Sequence, residues 1–220
     1  ERWAVYAATL LVIVAAVSAI LVAGGYDTSR ALAALWNGAF GSPYAVLSAT
    51  LVRATPLLFV GLAVGLAFRA GVLNIGAEGQ LLVGATSAVA VGLLLGGLPR
   101  PLALPVVLIA GAAAGSAWAG VAAWLRQRFG VLEVISTLML NFVASYLVSW
   151  AVRGPLQEPT HVYPQTVELA DAVRLPALIA GHRLHLGFVL GLALAAALWW
   201  FLMQTAAGFR VRAVGAGERA

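Results

Sequence analysis

No cysteine and no lysine occur among the 220 residues, and charged side chains of both signs together make up 10%. Without cysteine there is no disulfide framework, thiolate zinc site, iron–sulfur cluster or cysteine nucleophile. Without lysine there is no Walker-type phosphate loop, Schiff-base chemistry or serine–lysine hydrolase. A soluble domain carries about 25% charged residues to cover its surface, and 13 basic with 8 acidic groups fall far short of that. What fills the chain instead is apolar, 62% of residues against roughly 45–50% in globular domains. The solvent that fits these proportions is a bilayer. The net charge of +5 then reads as arginines flanking membrane spans, and no nucleic-acid partner is expected.

A bilayer-crossing helix needs about 20 mostly apolar residues. Six stretches qualify: Ala4 to Ala23, Val46 to Phe68, Glu78 to Leu98, Leu102 to Leu125, Val134 to Val152 and Leu186 to Met203. The expected fold is therefore all-α, a polytopic transmembrane helix bundle of about six spans. The first stretch exceeds the 7–15 apolar residues typical of a signal peptide and ends without a clear small-x-small site, which favours a retained span. With a cytoplasmic N-terminus, the inner segments carry Arg2, Arg69, Arg126, Arg128, Arg210, Arg212 and Arg219. The much longer outer segments carry Arg30, Arg100, Arg153, Arg174 and Arg183. The higher inner density supports that orientation. In the outer segment Gly24 to Tyr44, Ala31–Trp36 suits a short helix along the interface. Residues 153–185 form the longest polar stretch, with Pro155, Pro159, Pro164 and Pro176, and read as an extracytoplasmic loop.

The scarce polar groups inside or beside spans are the candidates for function. The third span opens on Asn74-Ile75-Gly76-Ala77-Glu78-Gly79-Gln80, with three polar side chains and two glycines beside an apolar run. On a helix Asn74 and Glu78 share a face. The segment suits a broken or irregular third span at a transporter site, because irregular backbone at membrane depth lines a cavity or is buried in protein. It equally suits a polar re-entry at the interface. The fifth span carries Glu133, Thr137, Asn141, Ser145 and Ser149 at intervals of four, with Ser136 alongside. The serines and threonine read as interhelical glue, Asn141 as a pathway position, and Glu133 as a first-turn anion on the helix dipole. Arg53 within the second span must pair, reach the interface or line water. Gly111, Gly115 and Ala119, and Gly187 with Gly191, are spaced for close helix packing. His161, His182 and His185 all lie in the outer loop without a third ligand at a convincing spacing, so no metal site and no catalytic constellation is expected. The tail Thr205 to Ala220 is basic and rich in small residues; it suits docking of a cytoplasmic partner or an ordinary charged flank.

Three segments resemble a known family. FRAGVLNIGAEGQLLVGA (68–85), GVLEVISTLMLNFVASYL (130–147) and GFRVRAVGAGERA (208–220) are similar, in order and spacing, to segments of the inner-membrane permeases of ABC importers for nucleosides and simple sugars. NIGAEGQ resembles the nucleoside branch. Leu132 and Gly217 depart from the family pattern. The resemblance implies one transmembrane permease domain over 1–220, the front part of a longer chain, ending inside an incomplete cytoplasmic coupling segment at 205–220. It implies a path for a nucleoside or related small polar solute, with Asn74, Glu78, Gln80, Thr137 and Asn141 as pathway residues. Phe209, Arg210, Arg212 and Gly215 would then form the ATPase coupling site. The chain itself would be no enzyme and bind no cofactor, with ATP and magnesium on a partner ATPase. Its implied partners are that ATPase, a second permease subunit (identical or not), an extracytoplasmic binding protein and the bilayer. Its implied place is a bacterial or archaeal inner membrane. The alternative is an ion-coupled secondary transporter or channel using Glu78 and Glu133.

Overall fold

The computed structural model describes residues 2–217, so Glu218, Arg219 and Ala220 of the expected coupling segment lie outside the described residues. The fold is all-α: α1 (Arg2–Ala23), α2 (Thr28–Phe40), a π-helical stretch (Ala45–Thr50) running into α3 (Leu51–Arg69), α4 (Ala77–Leu95), α5 (Arg100–Phe129), α6 (Glu133–Arg153), α7 (Leu186–Gln204) and α8 (Ala206–Ala216). Six of these helical stretches are long and apolar enough to cross a membrane, and they coincide with the six expected spans. The chain is a multi-pass membrane protein.

Helix ends follow local chemistry. Asp27 caps α2 by accepting the Arg30 N–H at 3.1 Å. Pro99 and Pro101 flank the start of α5, where a missing N–H costs nothing. That helix stops at Gly130, whose φ of +67° is left-handed. His185 Nδ1 accepts the Gly187 N–H at 3.2 Å and caps α7. The irregularity expected in the third span lies before it, in residues 70–76; α4 itself is regular. The second span opens on an unanticipated π-helical stretch, whose sequence Ala45-Val46-Leu47-Ser48-Ala49-Thr50 has no local signature for it.

Two compact units make up the chain. The first holds the residues up to Arg53 together with Ile179–Leu184. Within it α2 is tied down at its C-terminal end, where the Thr50 hydroxyl donates to the Ala39 carbonyl at 2.8 Å. The buried Ser48 hydroxyl accepts the Arg183 N–H at 3.1 Å and sits 3.3 Å from His182 Nδ1. Arg53 is exposed at the margin of this unit.

The second unit holds Ala54–Leu178 and the chain from His185. It is built around α4 against α5, joined by small residues. A methyl on Gly84 would stand 2.8 Å from the Gly111 carbonyl oxygen, and one on Gly115 3.0 Å from that of Gln80. Such contact lets the backbones touch, which is how helices gain packing energy in lipid, where apolar burial gives none. Accordingly, no large side chain is fully buried among the described residues, while leucines, tryptophans and phenylalanines face outward along the spans. Ala103 and Val107 of α5 and Val173 of the 153–185 segment form the small packed cluster. Arg100 secures it by donating to the Asp171 carbonyl at 2.9 Å.

Candidate functional site

The break before α4 is a folded object. α3 ends at Gly71, whose φ is +76°. The Val72 N–H reaches back to the Ala67 carbonyl at 2.9 Å and that of Gly71 to Phe68 at 3.1 Å, a glycine C-terminal cap. Asn74 then accepts the Gly76 N–H on its side-chain oxygen at 2.9 Å, a local turn typical of Asn. The Asn74 and Gln80 amides bond each other twice, at 3.1 and 3.2 Å.

The first turn of α4 lacks a cap of its own, and α6 supplies one. The Asn141 side-chain oxygen accepts the Gly79 N–H at 2.8 Å, and its NH₂ donates to the Ile75 carbonyl at 3.0 Å. One amide thus satisfies a backbone group within the break and one in the first turn of α4, neither of which has a partner in its own segment. Close approach makes this possible: a methyl on Gly76 would lie 2.9 Å from Thr137 Cβ, and one on Gly79 2.9 Å from Asn141 Oδ1. The glycines and the polar residues of the NIGAEGQ segment therefore have distinct parts. The glycines seat on α6, Asn74 and Gln80 pair with each other, and Glu78 is exposed.

Between this break, α5 and α6 lies a cavity of about 280 Å³. Its polar lining is Asn74, Gln80, Glu133 and Thr137; Ala67 and Val72 and the small α5 residues Ala119, Gly120, Ala122 and Ala123 complete it. The volume is just under the roughly 300–1,000 Å³ usual for small-molecule pockets. Each lining amide offers both donors and an acceptor, and Thr137 keeps acceptor capacity after donating to the Glu133 carbonyl at 2.6 Å. These groups are largely spent on one another, and the surface turned to the cavity is mostly carbon, so a polar solute there would have to draw the Asn74 and Gln80 amides out of their mutual pair. A second cavity of about 550 Å³, between α3, α4, α5 and α7, is likewise mostly apolar; Gln80 and Ser116 are its polar residues.

The expected pathway residues thus separate. Asn74, Gln80 and Thr137 meet at the first cavity. Asn141 stands one helical turn beyond Thr137, with both ends of its amide engaged by backbone. Glu78 is not among the lining residues. Because Asn74 precedes α4, it shares no helical face with Glu78. Glu133, which the sequence suggested as a helix-dipole partner and, in the alternative reading, as an ion-coupling group, lines the cavity and forms an ion pair with Arg126 across the α5–α6 turn. Its side chain is 15% exposed and that of Arg126 53%, so the carboxylate faces inward and the guanidinium outward. A carboxylate four residues before a buried threonine, seven after an arginine and beyond a turn glycine was the available signal. The small residues of α5 looked like packing; their lack of bulk makes the room. Among the described residues no cluster of His and acidic side chains is set to hold a metal.

α8 has two faces. Thr205 caps it, accepting the Gly208 N–H at 3.0 Å while its hydroxyl donates to the Phe201 carbonyl at 2.6 Å. Gly208 is buried, the Arg212 Nε is shielded, and Gly215 lies against the Arg69–Gly71 turn. Phe209, Arg210 and Val214 are exposed, Phe209 at 63% and Val214 at 66%. Of the four expected coupling residues, two therefore point out and two point in.

A multi-pass helical protein with a small cavity behind a helix break has the build of a membrane permease. Residues 46–220 match the family described as branched-chain amino acid transport system / permease component, and the chain belongs to it. It is 39% identical, over 94% of its length and 59% of the relative's, to the guanosine ABC transporter permease protein NupP of Bacillus subtilis. It is 37% identical, over 99% of its length and 60% of the relative's, to the glucose ABC transporter permease protein TsgB13 of Haloferax volcanii. A nucleoside ABC transporter permease protein of Lactococcus lactis is 26% identical over 89% of the chain and 56% of its own length. The chain thus spans about 60% of the length of the first two relatives. No solved structure matches it.

Proposed function

We propose that this chain belongs to a membrane-spanning subunit of an ATP-driven importer and helps to form the path for a nucleoside or related small polar solute. The observation that carries the reading is the folded break before α4, where the paired Asn74 and Gln80 amides border a cavity, in a chain 39% identical to a guanosine permease. Asn74, Gln80 and Thr137 face the solute, and Asn141 holds the break open behind them. An extracytoplasmic binding protein delivers the solute, and a second permease subunit completes the path. A cytoplasmic ATPase carrying ATP and magnesium drives it, docking on Phe209, Arg210 and Val214 of α8. The segment 153–185 faces outside and the chain from Thr205 the cytoplasm, in a bacterial or archaeal inner membrane with the N-terminus inside. The ion-coupled alternative would have Glu78 and Glu133 share a site; Glu78 is exposed outside the cavity and Glu133 is held by Arg126.

The test is uptake of radiolabelled guanosine and glucose into proteoliposomes holding the full-length permease with its ATPase, second permease and binding protein. Uptake should require ATP hydrolysis and fall with Asn74→Leu or Gln80→Leu. Uptake driven by a proton or sodium gradient in the absence of the ATPase sinks the reading.

A further inference from the structure

Both ends of α8 rest on backbone through a glycine. At its start, a methyl on Gly208 would overlap the Phe201 carbonyl oxygen and stand 2.6 Å from Leu202 Cα, so α8 folds back directly on the last turn of α7. At its end, a methyl on Gly215 would overlap the Arg69 carbonyl oxygen and stand 2.9 Å from the Gly71 nitrogen. From the other side, a methyl on Gly71 would stand 3.1 Å from Gly215 Cα, and the φ of +76° at Gly71 independently favours glycine. Gly71 and Gly215 therefore meet main chain to main chain. No side chain lies between them to bend or change rotamer.

The consequence is mechanical. α8 has 11 residues, about 16 Å of regular helix at 1.5 Å per residue. Its exposed face carries Phe209, Arg210 and Val214; its opposite face delivers any displacement to the Arg69–Gly71 turn. From Gly71 the chain runs only three residues to Asn74, whose amide pairs with Gln80 at the cavity. Packed elements pass movement on as units because close-packed contacts do not compress. We infer that Gly71 and Gly215 are positioning residues that hand movement of α8 to the Asn74–Gln80 break, and that Gly215 is no ATPase contact. The inference rests on the transport reading above.

The test uses the full-length permease assembled with its ATPase, second permease and binding protein, with guanosine as the probe. Gly215→Ala should leave the ATPase bound and hydrolysing ATP while guanosine moved per ATP falls by about tenfold, within the usual range of coupling between sites. Gly71→Ala should do the same from the other side of the contact. A structural defect alone would lower assembly and hydrolysis together, whereas loss of the linkage lowers only their ratio to uptake. Should either variant fail to assemble, spin labels at the exposed positions Leu73→Cys and Ala216→Cys, the latter at the end of α8 and outside its docking face, decide the matter with both glycines intact. Their separation should stay constant through the ATP cycle. Unchanged coupling in Gly215→Ala, loss of the ATPase from that variant, or a label separation that changes with ATP overturns the proposal. If wild type itself shows no ATP-driven uptake, the transport reading falls and this proposal with it.

Discussion

At the scale of single residues, polar side chains in this protein are told apart by what they touch. Asn141 and Glu78 both looked like pathway groups, because a polar residue in or beside a span is rare and costly. Asn141 turns out to bond two backbone groups that have no other partner in their own segment. Replacing it with leucine should lower stability by about 1–3 kcal/mol, the cost of leaving buried polar groups unpaired. Glu78→Gln, at an exposed position, should stay within about 0.5 kcal/mol. Thermal unfolding in detergent, followed by tryptophan fluorescence, separates the two; equal losses would refute the clamp. Arg126 and Glu133 make a second contrast. The carboxylate faces the cavity at 15% exposure and the guanidinium faces solvent at 53%, so only the carboxylate suffers when left alone. Arg126→Ala should therefore destabilise more than Glu133→Gln, by about 1 kcal/mol, because an orphaned inward charge costs more than a neutralised one. The Arg126–Glu133 pair leaves a local trace in the sequence, two charges seven apart around a turn glycine, whereas the Asn141 clamp leaves none. Asn141 and Gly79 are 62 residues apart, and which face of α6 meets α4 depends on packing among several helices.

At the scale of elements, the sequence is far more legible. Spans announce themselves through the length that a bilayer demands, and the break before α4 through Asn, Gln and glycine where apolar residues should run. The π-helical stretch at Ala45–Thr50 does not, because its cause is tertiary: Ser48 bonds the 179–184 segment, and Thr50 the end of α2. α2 is the element whose role follows most directly from its neighbours. It leaves α1 and enters the second span through four residues on each side, 24–27 and 41–44, and four residues reach at most about 14 Å. It must therefore lie at the boundary of the bilayer. Leu32, Leu35, Trp36 and Phe40 fall on one arc and are exposed, with Arg30 and Asn37 on the other. Because the chain has no cysteine, single cysteines can be placed without a background. An environment-sensitive label at Leu35 should report lipid and one at Asn37 water; water at both would remove α2 from the interface. Its cap also has a pH signature. The Ser29 hydroxyl, and then the Arg30 N–H, hold Asp27 below the usual carboxylate range. A carboxylate with a lowered folded pKa stabilises above its unfolded value and loses that contribution as the pH falls through the folded one. Helix α2 should thus keep its capped start at neutral pH and fray only below about pH 4, read as increased mobility of a spin label at the exposed position Ala33→Cys, which leaves Ser29 and Asp27 in place, with no change between pH 5 and 8.

At the scale of the whole molecule, composition, packing and topology express one constraint. In lipid, large apolar side chains gain nothing by hiding, so they face out and the interior is left to glycine and alanine. That is why the small residues of α5 serve both the contact with α4 and the room for a cavity. It is also why so few charges suffice, and why their placement carries information. The cavity is lined from the end of α3, the start of α4, the end of α5 and the start of α6. It therefore lies toward the end of the spans that carries Arg69, Arg126 and Arg128, the end against which α8 rests through Gly215. If positive-inside holds, that end is cytoplasmic, and the amide pair stands near the exit of the path, within reach of an ATPase acting on α8. If it is reversed, α8 faces away from ATP and the importer reading fails however well the cavity suits a solute. Exposed single cysteines decide it. A membrane-impermeant maleimide added to intact cells should label Thr160→Cys in the 153–185 segment, and Gln127→Cys at the α5–α6 turn only after the membrane is opened. The opposite pattern would separate α8 from any cytoplasmic energy source and leave the amide cavity as an outward-facing vestibule.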